Sequence, residues 1–191
     1  LNLAANYPQH RVSANATYRF GENRNETDGP LTLPQDSFNL DGEWGPSRQD
    51  IRHRFDASMT ADLWLGFRVN GNARLQSAAP YTITTGVDAN GDGVNNERQP
   101  EVARNSARGT RSSNLDLTLT WGFGVGDRPA RTPPRGRVGA GVGGAPPRPT
   151  PLVRFELYAQ ANNVLNLVNL QGYSGVLTSP FFGRPTSAAQ P

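Results

Sequence analysis

The sequence contains no cysteine and no lysine, and it has only two histidines and one methionine. The absence of cysteine excludes a disulfide framework and any zinc or iron–sulfur site held by cysteine. All the positive side chains are therefore arginines, which are spread along the chain instead of forming one block. With a net charge of +3, this distribution is typical of a solvated or lumenal surface, and we predict no binding to nucleic acid.

Long apolar runs are also missing. No stretch of 18 apolar residues occurs, so the sequence predicts no transmembrane helix. The 21 glycines and 16 prolines exceed the usual share of these residues and argue against long helices of any kind. The first residues, Leu1-Asn2-Leu3, carry no signal-peptide pattern. We expect the chain to be an excerpt of a longer protein at both ends.

Five segments alternate between apolar and polar residues with a period of two, which predicts β-strands with one apolar face. They cover residues 12–20, 51–63, 67–76, 114–123 and 153–162. Their lengths suit tilted strands that cross a membrane, and their polar faces carry the charged and amide side chains expected of a wet or plugged lumen. A soluble β-sandwich also alternates, but its strands are usually shorter. The pattern therefore favours a membrane barrel.

Aromatic residues lie near the ends of these segments, as in the aromatic girdles of outer-membrane barrels. They are Tyr18, Phe20, Trp64, Phe67, Tyr81, Trp121 and Phe123.

The connections differ greatly in length. Residues 64–66 form a tight turn, whereas residues 21–50, 86–111 and 169–191 are long and polar. Bacterial barrels have short periplasmic turns and long outer loops, so we expect these three long segments on the outside. Residues 124–151 would then lie in the periplasm. This Gly/Pro/Arg-rich segment is of low complexity, and we predict a disordered insertion there.

One loop resembles the opening of a calcium-binding loop. The run from Asp88 to Glu97 matches D-x-[DN]-x-D-G, and Ca²⁺ takes six to eight oxygen ligands from such alternating residues. The predicted ligands are Asp88, Asn90, Asp92, Val94 through its carbonyl, Asn96 and Glu97. The final bidentate Glu of an EF-hand is missing, because Gln99 stands at that position and Glu97 comes two residues early. A glycine-rich turn that binds nothing tightly is the alternative.

Support for catalysis is slight. The two histidines are His10, in a polar lead-in, and His53, inside a predicted strand. No G-x-S-x-G elbow joins a strand to a helix, and no glycine-rich phosphate loop precedes a helix. We predict that the chain is not an enzyme and contains no catalytic residue.

Four segments, in order, resemble the Oar-like group of TonB-dependent outer-membrane receptors, which carry a carboxypeptidase-regulatory-like domain. Residues 48–55 resemble its D-x-R-H-R-F strand opening, and residues 79–97 resemble its P-Y-T-I-x-T-G-x-D-x-N-G-D-G stretch. Residues 104–117 resemble its R-N-S…L-D-L strand, and residues 155–166 resemble its E-x-x-A-x-N-x-x-N segment. The family's last strand with a terminal aromatic, its plug domain and its TonB box are not in this sequence.

The resemblance implies a 22-stranded barrel closed by an N-terminal plug that the TonB complex pulls. We therefore predict an all-β fold, namely about five antiparallel transmembrane strands with long outer loops, across residues 1–191. The predicted location is the bacterial outer membrane, where the strands contact lipid. The predicted function is energised uptake or export of an unidentified substrate. One alternative is a small calcium-stabilised barrel or adhesin-like surface protein, and another is a soluble hydrolase.

Overall fold

The computed structural model describes residues 1–9, 11–127 and 151–189, and within them it is almost entirely β-structure. Two short 3₁₀ turns, Asp41–Glu43 and Trp64–Gly66, lie between strands. No helix in these three stretches is long and apolar enough to span a membrane. The strands are β1 (Asn2–Tyr7), β2 (Val12–Phe20), β3 (Arg24–Asn25), β4 (Gly45–Pro46), β5 (His53–Asp62), β6 (Phe67–Gln76), β7 (Pro80–Tyr81), β8 (Ala107–Arg108), β9 (Ser112–Asp127), β10 (Pro151–Ala161), β11 (Leu170–Tyr173) and β12 (Pro185–Ala188).

Six of these strands form one antiparallel sheet in the order β1-β2-β5-β6-β9-β10. Each long strand pairs with the next long strand along the chain, as in an up-and-down barrel wall. Because every pairing is antiparallel, the connections alternate between the two ends of the sheet. The turn at residues 63–66 lies at one end of the sheet, where β1 also passes to β2, while residues 21–52, 77–111 and 162–189 lie at the other.

All five predicted strands are confirmed, and the sheet has a sixth. Strand β1 was not predicted because it has only six residues, and Ala4 interrupts the polar side of its pattern. The insertion predicted at residues 124–151 is too long at both edges, since β9 continues to Asp127 and β10 begins at Pro151. The remaining part, residues 128–150, and His10 lie outside the described residues.

The register of the sheet sorts side chains onto two faces. Phe55 lies opposite Leu75, and Ala61 opposite Val69, so apolar residues share one face across neighbouring strands. On the other face Asp56 lies opposite Arg74. Ion pairs join Asp56 to Arg74 at 2.9 Å and Arg68 to Asp62 at 2.5 Å, which makes this second face polar and charged.

The turn between β5 and β6 requires glycine. Leu65 has a φ of 59° and Gly66 a φ of 80°, a left-handed backbone that side chains with a Cβ adopt reluctantly. A Cβ on Gly66 would lie 2.3 Å from the carbonyl oxygen of Gly122 in β9. The tight turn predicted for residues 64–66 is thus confirmed, and it packs against the neighbouring strand.

The sheet has no apolar core of the kind found in soluble domains. Among the described residues of the six-stranded sheet, Ala61 is the one buried apolar side chain, whereas Phe155, Leu157 and Leu119 on the same face are exposed. The buried polar residues are Glu43, Ser47, Asp50, Glu97, Arg98, Arg104 and Asn105. All of these lie in the long loops, so the most enclosed part of the molecule is a polar loop cluster and not a sheet face.

Candidate functional site: the loop cluster

Three long segments meet at one end of the sheet, and together we call them the loop cluster. They are the first loop (residues 21–52), the second loop (residues 77–111) and the third loop (residues 162–189). Each contains a short two-stranded ladder of its own, β3–β4, β7–β8 and β11–β12 respectively. The ladders satisfy part of the backbone hydrogen bonding within each loop.

The second and third loops are joined through their backbones. The Thr84 N–H donates to the carbonyl of Gly175, and the Leu177 N–H donates to the carbonyl of Thr84, both at 2.9 Å. A Cβ on Gly175 would lie 1.7 Å from the carbonyl oxygen of Thr82. The two chains therefore approach more closely than any residue other than glycine permits at that point.

The first and second loops are joined by a buried ion pair. The Arg98 guanidinium donates to the Glu43 carboxylate, with 2.8 Å between Nη2 and Oε1, and also to the carbonyl of Gly42 at 2.9 Å. Glu43 accepts a second hydrogen bond from the backbone N–H of Gln35, again at 2.9 Å. Both charges are buried and have lost the hydration that water would give them. Each charge is therefore stabilised mainly by the other.

Arg104 makes the second buried link between these loops. Its Nη1 lies 2.7 Å from Oδ2 of Asp28, and its Nη2 donates to the backbone and side-chain oxygens of Asn25 at 2.6 Å. The neighbouring Asn105 donates to Oδ2 of Asp28, also at 2.6 Å. The carboxylate of Asp28 in the first loop thus contacts two consecutive residues of the second loop, Arg104 and Asn105.

A third link lies where the loops leave the sheet. Asp50 has the least exposed large side chain in the described chain, at 1%. Its carboxylate pairs with Arg108 of β8 and accepts the Asn23 N–H at 2.9 Å. This contact fixes the start of β5 against the end of the second loop.

The three acidic residues of these links are ionised at neutral pH. Burial raises the pKa of Glu43, but hydrogen bonds from Arg98 and from the Gln35 N–H hold it below its ordinary value. Burial likewise raises the pKa of Asp28 and Asp50, and this is outweighed by hydrogen bonds from Arg48 and Asn105 to Asp28 and from Arg108 and Asn23 to Asp50. The cluster is therefore assembled from charged side chains.

The predicted calcium loop forms one edge of the loop cluster. Carboxylate oxygens of Asp88, Asp92 and Glu97 all lie within 4.8 Å of one another. Asp88 accepts the backbone N–H groups of Gly91, Asp92 and Gly93 at 2.7, 3.1 and 2.9 Å. Glu97 accepts those of Ala89 and Asn90 at 3.0 and 3.3 Å. The early position of Glu97 is thus compatible with the loop, because the chain folds back and carries its carboxylate to the other two.

The remaining predicted ligands lie differently. Asn90 and Asn96 donate to the first loop, to the carbonyls of Gln35 and Pro34, both at 2.9 Å. The Val94 N–H donates to Asp92 at 2.8 Å. The structure therefore brings three of the six predicted ligands together as a carboxylate group. The amide groups of Asn90 and Asn96 donate to the neighbouring loop, and Asn90 donates to Asp92 as well, at 3.1 Å.

A family model described as an outer membrane beta barrel domain matches residues 3–191. The chain belongs to the outer membrane β-barrel domain family. No curated protein and no solved structure matches it.

Membership of the barrel family locates the protein in the bacterial outer membrane and explains the exposed apolar face as the lipid-facing surface. On this face Phe67 stacks on Trp121, with ring centroids 5.6 Å apart. Trp121 is followed by Phe123 at 4.7 Å, and Phe123 by Phe155 at 5.3 Å. This aromatic row crosses β6, β9 and β10 near the short turns of the barrel wall.

A second aromatic group lies on the same face of the barrel wall, near the long loops. The Tyr18 hydroxyl lies 2.7 Å from Nδ1 of His53, and Phe20 packs against the same imidazole with centroids 5.0 Å apart. Leu63 follows Phe55 by eight residues in β5 and the adjoining turn, which corresponds to about 26 Å along a strand. At the tilt of about 35–45° usual for barrel strands, this length spans about 20 Å of height, which is most of an apolar band about 25 Å tall.

Sequence reasoning did not assign the arginine and carboxylate links of the barrel's outer loops. Asp50, Arg104 and Asn105 lie in segments that carried the family resemblance, but no local pattern connects them to each other. Glu43 lies in a segment without any motif. The predictions that the chain has no catalytic residue and binds no nucleic acid stay predictions.

Proposed function

We propose that this barrel domain forms part of the wall and outer loops of a TonB-dependent transporter of the Oar-like group. In this proposal it takes up or exports a substrate with energy delivered through TonB and a plug domain. The observation that carries the proposal is the loop cluster, a set of long loops tied together by buried charges at one end of a membrane-length sheet. A rigid cluster of this kind can present a defined binding surface to a substrate.

The sheet needs further strands. Strands β1 and β10 are its two edges, and lipid does not tolerate open edges because their backbone groups would lack hydrogen-bond partners. Six strands are also fewer than the eight of the smallest bacterial barrels. We infer that additional strands pair with β1 and β10, in keeping with the large barrel that the family resemblance implies.

The polar face of the sheet suits a lumen filled by a plug. It contains a hollow of about 290 Å³ lined mostly by polar residues, among them Asn15, Asp56, Arg74 and Asp116. Its charges are largely paired within the wall, as Asp56 is with Arg74. Paired charges and amides offer hydrogen bonds to a plug or a hydrophilic substrate without creating a strong field of one sign.

The proposal is tested by comparing three strains of the bacterium that carries the gene, namely wild type, a deletion of the whole receptor gene and a deletion of tonB. Untargeted mass spectrometry of the spent medium identifies compounds that only the wild type depletes or accumulates. We expect at least one compound to change in the same way in both deletions. A receptor deletion that changes no compound, or a change that tonB does not share, contradicts TonB-dependent transport.

The size of the protein in the membrane separates this proposal from the alternative of a small calcium-stabilised barrel. An antibody raised against the second loop detects the mature protein in isolated outer membranes. A mass several times the 20.6 kDa of this chain supports the transporter, and a mass near 20.6 kDa supports the small barrel. Recovery in the soluble fraction without detergent supports the soluble hydrolase instead.

A further inference from the structure

The carboxylate group of the second loop has an unusual member. Glu97 is 5% exposed, and although its Oε1 accepts two backbone N–H groups, its Oε2 is buried with no hydrogen-bond partner among the described residues. A buried carboxylate oxygen without a donor is costly, because its hydration is lost and nothing replaces it. Asp88 and Asp92, whose carboxylate oxygens lie within 4.8 Å of one of Glu97, do not supply the missing donor, because an ionised carboxylate only accepts hydrogen bonds.

Arginine does not supply it either. Within residues 1–9, 11–127 and 151–189, no arginine lies within ion-pair distance of Asp88, Asp92 or Glu97. The nearest arginine in sequence, Arg98, is paired with Glu43. Three carboxylates that converge on one point, one of them buried, repel one another unless a cation lies between them.

We propose that Asp88, Asp92 and Glu97 bind one Ca²⁺ ion. Ca²⁺ takes oxygen ligands at 2.3–2.6 Å, so two oxygens on opposite sides of the ion are about 4.6–5.2 Å apart. Three carboxylate oxygens within 4.8 Å of one another fit around one such ion, and the exposed side of Asp88 and Asp92 leaves room for water to complete the coordination. The ligands are all hard oxygens, which favours Ca²⁺ over Zn²⁺ or copper.

The ion has a structural consequence for the loop cluster. The residues between and beside the three ligands hold the first loop, since Asn90 donates to Gln35 and Asn96 to Pro34. The carbonyl of Glu97 accepts the Thr85 N–H at 2.7 Å and closes the base of the calcium loop. Calcium bound there stabilises the second loop in the conformation that contacts the first. This site does not depend on which substrate the barrel carries.

The first test measures calcium binding to the full-length receptor in detergent, freed of metal with a chelator. Isothermal titration with CaCl₂ compares the wild type with Glu97→Gln and with Glu101→Gln, an exposed acid of the same loop. We expect Glu97→Gln to lose one bound Ca²⁺ per chain or to bind it at least tenfold more weakly, while Glu101→Gln matches the wild type. Equal stoichiometry and affinity in Glu97→Gln and the wild type overturn the proposal.

A second measurement keeps the test valid if a variant loop folds poorly. Proteinase K cleavage within the second loop is followed in 2 mM CaCl₂ and in 2 mM MgCl₂, with Asp92→Asn as a further variant that retains an acceptor oxygen. We expect calcium, but not magnesium, to slow cleavage at least fivefold in the wild type and in Glu101→Gln. The effect should be absent in Glu97→Gln and Asp92→Asn. A wild-type loop that is cleaved at the same rate in both salts refutes the site.

Discussion

Arg98 and Glu43 form a buried ion pair across 55 positions of sequence, with 2.8 Å between Nη2 and Oε1 and side chains that are only 6% and 5% exposed. The pair joins the first and second loops at the centre of the loop cluster. A buried pair of this kind contributes little net stability when compared with apolar residues, but removal of one partner leaves an uncompensated charge. The loop cluster should therefore be sensitive to single substitutions here.

Glu43→Gln should loosen the cluster more than Arg98→Met. Glu43 faces two guanidinium groups, since Arg104 Nε lies 3.6 Å from its Oε2, whereas loss of Arg98 leaves Glu43 near Arg104. We expect Glu43→Gln to destabilise the cluster by about 3–5 kcal/mol. Proteinase K should then cleave the first and second loops of the full-length protein much faster. Glu101→Gln is the exposed control, and a cleavage rate for Glu43→Gln equal to that of the wild type would contradict the prediction.

The cluster should open in acid while the sheet persists. The pKa values of Asp28, Glu43 and Asp50 lie below their ordinary values in the folded protein. A carboxylate of this kind contributes stability above its unfolded pKa, near 4, and that stability is lost as the pH falls through its lower folded pKa. We therefore expect a stable cluster between pH 5 and 7 and a loosened one below about pH 4.

Hydrogen exchange measures this directly, because three backbone amides donate to these carboxylates. They are those of Arg48 to Asp28, Gln35 to Glu43 and Asn23 to Asp50. After correction for intrinsic rates, these amides should lose protection at pH 3 while amides of β5 keep it. Equal protection of the three amides at pH 3 and pH 6 would show that the charges do not hold the cluster together.

A new charge should destabilise the barrel on the apolar face of β5 and be tolerated on its polar face. Met59 lies on the apolar face and Ser58 on the polar face, opposite Asn15 and Asn72. Met59→Arg places a cation in lipid near mid-membrane, which costs about 2–4 kcal/mol, whereas a lumenal substitution is tolerated. A folded barrel in isolated outer membranes runs faster in gel electrophoresis before heating than after it, and this shift measures how much of the full-length protein has folded. We expect much less folded barrel for Met59→Arg than for Ser58→Arg. The reverse order would mean that the two faces are assigned the wrong way round.

Gly175→Ala should separate the third loop from the second. The added methyl group would overlap the Thr82 carbonyl, and overpacking of this kind costs about 1–3 kcal/mol. Gly21→Ala is the matched control, because a Cβ there meets nothing within 4 Å. Hydrogen exchange at the amides of Thr84 and Leu177, which form the bridge between these loops, should rise in Gly175→Ala alone. Unchanged exchange at both amides would contradict the close approach.

Much of the sheet could be predicted from the sequence because the relevant pattern is local. The alternation in residues 67–76 identifies strand, face and approximate length at once, since successive side chains in a strand point to opposite sides. Strand β1 was missed because six residues with Ala4 on the polar side do not establish a period. The extension of β9 to Asp127 was missed because its last residues, rich in glycine, resemble the insertion that follows.

The loop from Asp88 to Glu97 is an intermediate case, because only part of its arrangement follows from the sequence. Its order of acidic residues is visible in the sequence, and the prediction named Asp88, Asp92 and Glu97 together. The sequence did not establish that the chain folds back after Val94 to carry Glu97 to the other two. Nor did it indicate that the side-chain amides of Asn90 and Asn96 donate hydrogen bonds to the first loop. Those outcomes depend on where the first loop lies.

The sequence by itself determined the five longer strands and their two faces, and it favoured a membrane barrel, because an alternating pattern and the length of each segment are properties of neighbouring residues. Only the tertiary structure decided which loop charges meet. Arg98 reaches Glu43, and Arg104 reaches Asn25 across 79 positions, because the sheet brings the ends of distant strands together and the loops fold back over them. Pairings over such separations depend on the path of every intervening turn, and no local pattern records that path.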